Sequence, residues 1–332
     1  MSTAPAAPKT PASPPAPAPA RMSLANIEKG KKQRPYRIVL YGPEGIGKST
    51  FGSSAPNPIF LPGEDGTGHL DVARFPKPNT WQEVREAVRT LLTQQHDFKT
   101  LVVDTLDSLE PLCWRYVCET QTIGKGQRAR SIEEFGYGKG YVMALEAWRG
   151  LMVDLEQLGA KGMHVIILAH AQVKSFKNPA GEDFDRYELK VHQKASGLFK
   201  EWSDSLLFAN YETFAKKDNP ASTVSRAKGI DTGARLIFTE RRAAYDAKHR
   251  GNLPSELPLS WADFIAESSK EIDPKVFSAA ILERAKELPE EMQKLIADTV
   301  TKAANDTQAL IQINNRVNIR IAEKHRTEEE AA

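Results

Sequence analysis

Residues 37–51, RIVLYGPEGIGKSTF, constrain this chain more than any other stretch. The aliphatic run Ile38, Val39 and Leu40 leads into Gly42, Pro43, Glu44, Gly45, Ile46, Gly47, Lys48 and Ser49, which fit the spacing G-x-x-x-x-G-K-[ST] without a mismatch. Such a P-loop wraps backbone N–H groups around a polyphosphate, and side chains at Gly42, Gly45 and Gly47 would obstruct that approach. Lys48 then reaches the β- and γ-phosphates, Ser49 is placed to ligate Mg²⁺, and Thr50 follows in a helix whose amino end faces the anion. The expected nucleotide-binding set is residues 42–50. A glycine-rich turn matching by chance is the alternative, and the strand before it and helical stretch after it argue against that.

The chain has 332 residues, 40% hydrophobic and 27% charged, which is enough for one sizeable core with appendages. Its net charge is only +2, so any contact with nucleic acid must come from local basic clusters. No apolar run approaches the ~18 residues of a membrane span, and no membrane partner is expected. Cys113 and Cys118 fall in an expected helix among Leu112, Trp114 and Val117, with no Cys or His at zinc spacing. A buried thiol pair in a reducing cytoplasm is the expectation, against a disulfide or a metal site.

Residues 1–21 are almost entirely Ala, Pro, Ser and Thr, and residues 1–27 are read as a disordered tail without the apolar segment of a secretory signal. The basic residues around Lys29 to Arg34 are either a solvated entry loop or a phosphate contact. The apolar run Pro58 to Leu61 stops at an acidic, glycine-rich turn holding Glu64, a candidate general base or simply a turn acid. Residues 81–95 carry a helical period behind Thr80, with Glu83 completing a capping box. Residues 100–104, TLVVD, read as a buried strand ending in a Walker B acid, Asp104, placed to hold Mg²⁺ beside Ser49. Asp107 and Glu110 follow on the next helix, as further site acids or as compensation for the helix dipole.

Residues 120–139 read as a mobile loop with basic residues Lys125, Arg128 and Arg130, and residues 141–158 as an amphipathic helix. Residues 163–169 read as a third buried strand with His170 at its end, either a sensor of the γ-phosphate or a structural histidine. Residues 173–185, with Lys174 and Lys177, read as a second exposed loop. Strands are expected over residues 187–191, 205–211 and 236–239. Lys248 and Arg250 share one face of an extended segment, and Ser260 opens a helix closing the core. Residues 271–332 read as a charged helical extension with helix starts at Pro274, Pro289 and Asp306; Arg316, Arg320, Lys324 and Arg326 are there as a DNA contact or a solvated face. The core therefore spans residues 28–270.

The stretches GPEGIGKST, IFLPGEDGTGHLD, LVVDTLDSLE, EEFGYGKGYVMALEAW, VIILAHAQVK and YDAKHRGNLP resemble the RecA-like branch of P-loop ATPases, and more narrowly the phage RecA-like single-strand annealing proteins, over residues 34–265. The resemblance implies an α/β fold: a RecA-like core with a mainly parallel central sheet flanked by helices, plus the C-terminal helical appendage. It implies ATP and Mg²⁺ as ligands, Glu64 as the water-activating glutamate, Asp104 as the Walker B acid, and His170 as the sensor where recombinases often carry glutamine. It implies that Lys248 and Arg250 act in the ATP site of a neighbouring subunit in a filament or ring. Single-stranded DNA would lie along residues 120–139 and 173–185, held mainly through its backbone, since beyond Phe135, Tyr137 and Phe176 they lack the aromatic interleaving of a base-stacking platform. A single-strand binding protein as a further partner and the host bacterial cytoplasm belong to the same expectation. An ATP-dependent annealing protein is thus the leading reading. A helicase-like or packaging motor and a nucleotide-gated protein-interaction module are the alternatives.

Overall fold

The computed structural model describes residues 22–30, 34–179, 181–217, 227–251, 253–270 and 273–331. The expected tail lies outside them up to residue 21, and so do Lys31, Lys32 and Gln33 of the basic entry segment. Leu24–Asn26, assigned to the tail, form a single 3-10 turn closed by a bond from Asn26 N–H to Ser23 O at 3.0 Å.

The sheet grows outward from β1 (Arg37–Gly42), buried from Ile38 onward. An aliphatic run without alternation marks a strand covered on both faces. On one side β1 pairs in parallel with β7 (His164–Phe176), which pairs with β4 (Thr100–Asp104), then β2 (Pro58–Pro62) and the short β3 (Ala73–Arg74). The P-loop strand and the Walker B strand are therefore not neighbours, because β7 lies between them. On the other side β1 pairs in parallel with β9 (Ser205–Lys217), followed by antiparallel β10 (Ala227–Phe238) and β12 (Glu256–Pro258). Two residues of β11 (Lys248–His249) pair with the start of β9. Every parallel strand ends at the edge that carries the P-loop, where α/β sheets bind their ligands.

Alternation along β1 sends Val39 and Tyr41 to one face and Ile38 and Leu40 to the other. The first face is covered by α2 (Trp81–Thr93), α3 (Leu106–Thr120), α4 (Lys139–Ala160) and α5 (Gln193–Trp202). At its centre Trp148 packs edge-on against Trp81 and Phe199, at centroid distances of 4.7 and 5.1 Å. Burying an aromatic side chain contributes about 1.5–3 kcal/mol. The second face is covered by α1 (Lys48–Ser53) and α6 (Trp261–Ser268), through Phe51, Trp261 and Phe264. Cys113 and Cys118 are both buried and free, as expected for a thiol pair.

Helix starts follow the sequence closely. Thr80 Oγ1 accepts from Glu83 N–H at 3.2 Å, while the returning bond from the box goes from Asn79 N–H to Glu83, one residue earlier than expected. Ser260 caps α6 by accepting from Asp263 N–H. α7 (Pro274–Ala285) starts at the expected proline, α8 (Glu290–Ala303) and α9 (Thr307–Ala331) start one residue after the expected Pro289 and Asp306, and the three enclose a small core of Ile281, Leu288, Val300, Leu310 and Val317. In α9, Arg320 pairs with Glu323, and Lys324 Nζ donates to Glu287 O at 2.9 Å.

Several loop assignments do not hold. His170 is not at the end of its strand, because β7 runs six residues further to Phe176. There it folds back antiparallel onto β8 (Phe184–Leu189), so residues 173–185 are mostly a β-hairpin. Residues 120–139 contain a miniature hairpin of β5 (Thr122–Ile123) and β6 (Gln127–Arg128), then a 3-10 turn that buries Ile132 and Phe135 in the core. α5 and most of the long β9–β10 pair were not anticipated. Among the described residues no helix is long and apolar enough to cross a membrane.

Candidate nucleotide site

The P-loop needs its glycines for identifiable reasons. A β-carbon at Gly42 would stand 2.3 Å from Ala209 O on β9, so β1 and β9 could not approach as they do. Gly45 and Gly47 adopt φ of +73° and +110°, in the left-handed region that side chains disfavour. Gly47 leads directly into α1, whose first residues are Lys48, Ser49 and Thr50. Lys48 is buried, and its Nζ donates to Gly42 O at 3.1 Å and Pro43 O at 2.8 Å, so the loop curls around its own ammonium. Burial lowers the Lys48 pKa, with Asp104 pulling it back up.

Asp104 ends β4 and accepts from Ser49 Oγ at 2.6 Å. Burial drives its carboxyl above the ordinary range, opposed by the Ser49 hydrogen bond. A buried acid and a hydroxyl held together beside a phosphate-binding loop are the donor set that suits a hard divalent cation, so the residues present fit Mg²⁺. The next peptide, Asp104 to Thr105, is cis. Thr105 Oγ1 donates to Glu64 Oε1 at 3.0 Å and lies 2.7 Å from Ser108 Oγ. Since Thr105 has one hydroxyl proton and gives it to Glu64, Ser108 donates to Thr105. Gly63 N–H donates to Asp104 O at 2.6 Å, and a β-carbon on Gly63 would stand 2.7 Å from Ser108 Cβ, so this glycine lets Glu64 come alongside the Walker B strand.

His170 lies opposite Gly42 in the β1–β7 register, beside the P-loop entry. Asp107, in the first turn of α3, accepts from His170 N–H at 2.9 Å and contacts its Nδ1 at 2.8 Å. Burial pushes Asp107 up, but the His170 hydrogen bonds outweigh it and hold the carboxyl below its ordinary value. An ionised Asp107 makes Nδ1 the donor, which leaves Nε2 as the ring atom available to the site. One turn on, buried Glu110 accepts from His192 N–H at 2.9 and 3.0 Å. The same β7–β8 hairpin returns to the P-loop: Lys190 N–H donates to His170 O, and Lys190 Nζ stands 3.8 Å from Glu44 Oε1.

Glu64, Asp104, His170, Lys48 and Ser49 thus lie at one edge of the sheet, whereas Lys248 and Arg250 do not. Lys248 pairs with Leu206, near the amino end of β9, and Arg250 N–H donates to Asp204 O just before that strand. Five residues of β1, roughly 17 Å at the usual rise, separate that end from the P-loop. There Arg250 lies 3.3 Å from Asp204 Oδ1, sharing it with Arg37, while Lys248 Nζ donates to Glu201 O. Of the candidate DNA contacts, Lys125 stands in the short 3-10 turn Gly124–Gly126. Arg128 Nη1 donates to Gln121 O at 3.2 Å, and Arg130 is exposed. Lys174 is exposed on the β7 extension, and Lys177 pairs with Asp183 across its turn. Phe135 is buried and Phe176 packs against Phe184 and Arg186, so Tyr137 alone of the three expected aromatics is fully exposed.

Sequence reasoning missed Thr105, Ser108 and Lys190 and left the role of Asp107 open. A Thr and a Ser flanking a strand-end acid was the available signal for the first two; nothing local marks Lys190.

The family AAA_24, described as an AAA domain, matches residues 34–251. The SPbeta prophage-derived uncharacterized protein YorG of Bacillus subtilis (strain 168) is 26% identical over 138 residues, which is 40% of this chain and 40% of that protein. The chain therefore matches well under half the length of this relative. The flagellar accessory protein FlaH from Methanocaldococcus jannaschii aligns over 67% of this chain and 84% of its own, with 9% identity and a TM-score of 0.33.

Proposed function

Because the chain belongs to the AAA_24 family of AAA domains, we propose that its P-loop ATPase drives the binding and annealing of single-stranded DNA in recombination, in a filament or ring that hydrolyses ATP between subunits. The observation that carries this reading is the continuity of β7. One strand holds His170 beside the P-loop and continues into the hairpin bearing Lys174 and Lys177, so a change at the nucleotide bears directly on a surface arm of mixed charge that presents these two lysines.

In this reading Lys48 and the loop N–H groups hold the phosphates, and Ser49 and Asp104 hold Mg²⁺. The cation, when bound, neutralises charge developing on the phosphates. Glu64, fixed through one oxygen by the Ser108–Thr105 relay, keeps the other for the attacking water. His170, oriented by Asp107, reads the γ-phosphate through Nε2. Lys248 and Arg250 lie at the edge away from their own P-loop, so any part they take in hydrolysis would be on a neighbour's ATP. Lys125, Arg128, Arg130, Lys174 and Lys177 would meet the DNA backbone, with a single-strand binding protein as a further partner. The prophage-derived relative supports a phage setting, and hence a host bacterial cytoplasm.

The test is Lys48→Ala, assayed for ATP hydrolysis and for ATP-stimulated annealing of complementary oligonucleotides. Both should be lost. A variant that anneals with ATP as well as the parent would sink the proposal, and unwinding of a forked duplex by the parent would replace annealing with a helicase activity.

A further inference from the structure

The antiparallel wing of the sheet reaches the P-loop from the side away from Asp104 and His170, and it brings a cation. A β-carbon at Gly47 would stand 3.2 Å from Arg235 Nη1 and 3.5 Å from Leu259 Cδ2, so the Arg235 guanidinium borders the backbone of this phosphate-binding loop. Arg235 lies on β10, opposite Tyr211 of β9. The register of that pair slips between Asp231 and Arg235, and Gly233 within the slip has φ +78°. A bulge of this kind re-aims the side chains that follow it. Arg235 O accepts from Leu259 N–H at 2.9 Å, which fixes the strand just where the side chain leaves it. The side chain is exposed, and among the described residues no carboxylate pairs with it.

We propose that Arg235 is a phosphate-binding residue of the nucleotide site, supplied in cis by the antiparallel wing on the Gly47 side of the loop. Guanidinium is suited to this role because its planar fork donates two parallel hydrogen bonds to a phosphate, and an exposed, unpaired one gives up no ion pair to do so. It differs from Lys48 in approaching from outside the loop, and from Lys248 and Arg250 in belonging to the same subunit's site. The structure thus supplies cations to the loop from two sides, Lys190 beside Glu44 and Arg235 beside Gly47.

The inference rests on the nucleotide-binding reading of the P-loop, so its test separates the two. Equilibrium binding of fluorescent ADP and ATP analogues would be measured by anisotropy for the parent, Arg235→Ala, Arg235→Lys and Lys48→Ala, with circular dichroism as the check on folding. Arg235→Ala should weaken both nucleotides about tenfold or more, the scale of a lost charged hydrogen bond. Arg235→Lys should recover part of that, since it keeps the charge and loses the fork. ADP binding by Arg235→Ala equal to the parent's, with Lys48→Ala deficient, overturns the assignment of Arg235 alone. Parent-like binding by Lys48→Ala overturns the nucleotide reading beneath it. Should Arg235→Ala fail to fold, Arg235→Gln carries the same comparison.

Discussion

Glu110→Gln makes the surroundings of α3 measurable. The Glu110 carboxylate is 6% exposed and accepts only a backbone N–H, that of His192, at 2.9 and 3.0 Å. Burial pushes its pKa from 4.5 to about 7, against the pull of that N–H. Between those values the folded protein keeps a proton that the unfolded chain has released, so stability falls as pH rises through the window and levels off above it. At about 1.4 kcal/mol for each tenfold, this amounts to about 3 kcal/mol. Glutamine has no charge to desolvate, and its amide oxygen still accepts from His192 N–H. Its own amide N–H group, lacking a ready partner, gives back part of the gain. Urea midpoints measured from pH 5 to 8 should shift against the parent relative to Glu110→Gln as pH rises, because the comparison cancels groups common to both, such as His249, whose pKa burial lowers to about 4. The variant should be the more stable protein at pH 8, by about 1–3 kcal/mol. Parallel pH profiles for the two proteins would refute the reasoning, because the slope would then arise elsewhere.

Gly42→Ala should destabilise the fold by about 1–3 kcal/mol in urea unfolding, since its β-carbon would stand 2.3 Å from Ala209 O, and it should weaken ATP binding in the same preparation. Arg128→Ala combined with Arg130→Ala should reduce the salt slope of single-stranded DNA binding by about 1.4, the value for two phosphate contacts to a single strand. An unchanged slope would remove the first hairpin from the DNA surface.

How legible the site was depended on how local its parts are. Gly42 to Ser49 form one turn with one chemical purpose, so their spacing alone defines them. Asp104 was legible because a continuous apolar run ending in an acid is also a local pattern. Glu64 was harder: what places it is Gly63 packing against Ser108 and the hydroxyl of Thr105, roughly forty residues further along the chain. The hairpin after His170 was misread because residues 173–185 are polar, and a two-stranded arm does not need an apolar face to pair its backbone. Residues 120–139 were misread because their anchors, Ile132 and Phe135, stand among glycines and charges.

The sequence by itself determined the phosphate-binding loop, the buried strands and the helix starts, because each follows from steric freedom, apolar periodicity or capping within a few residues. Only the tertiary structure decided which groups meet. It inserted β7 between the P-loop and Walker B strands, carried Lys248 and Arg250 to the opposite edge, and brought Arg235 against Gly47. Strand order and a β-bulge fix those meetings, and both are set by contacts between segments far apart in the chain, which no local pattern of residues encodes.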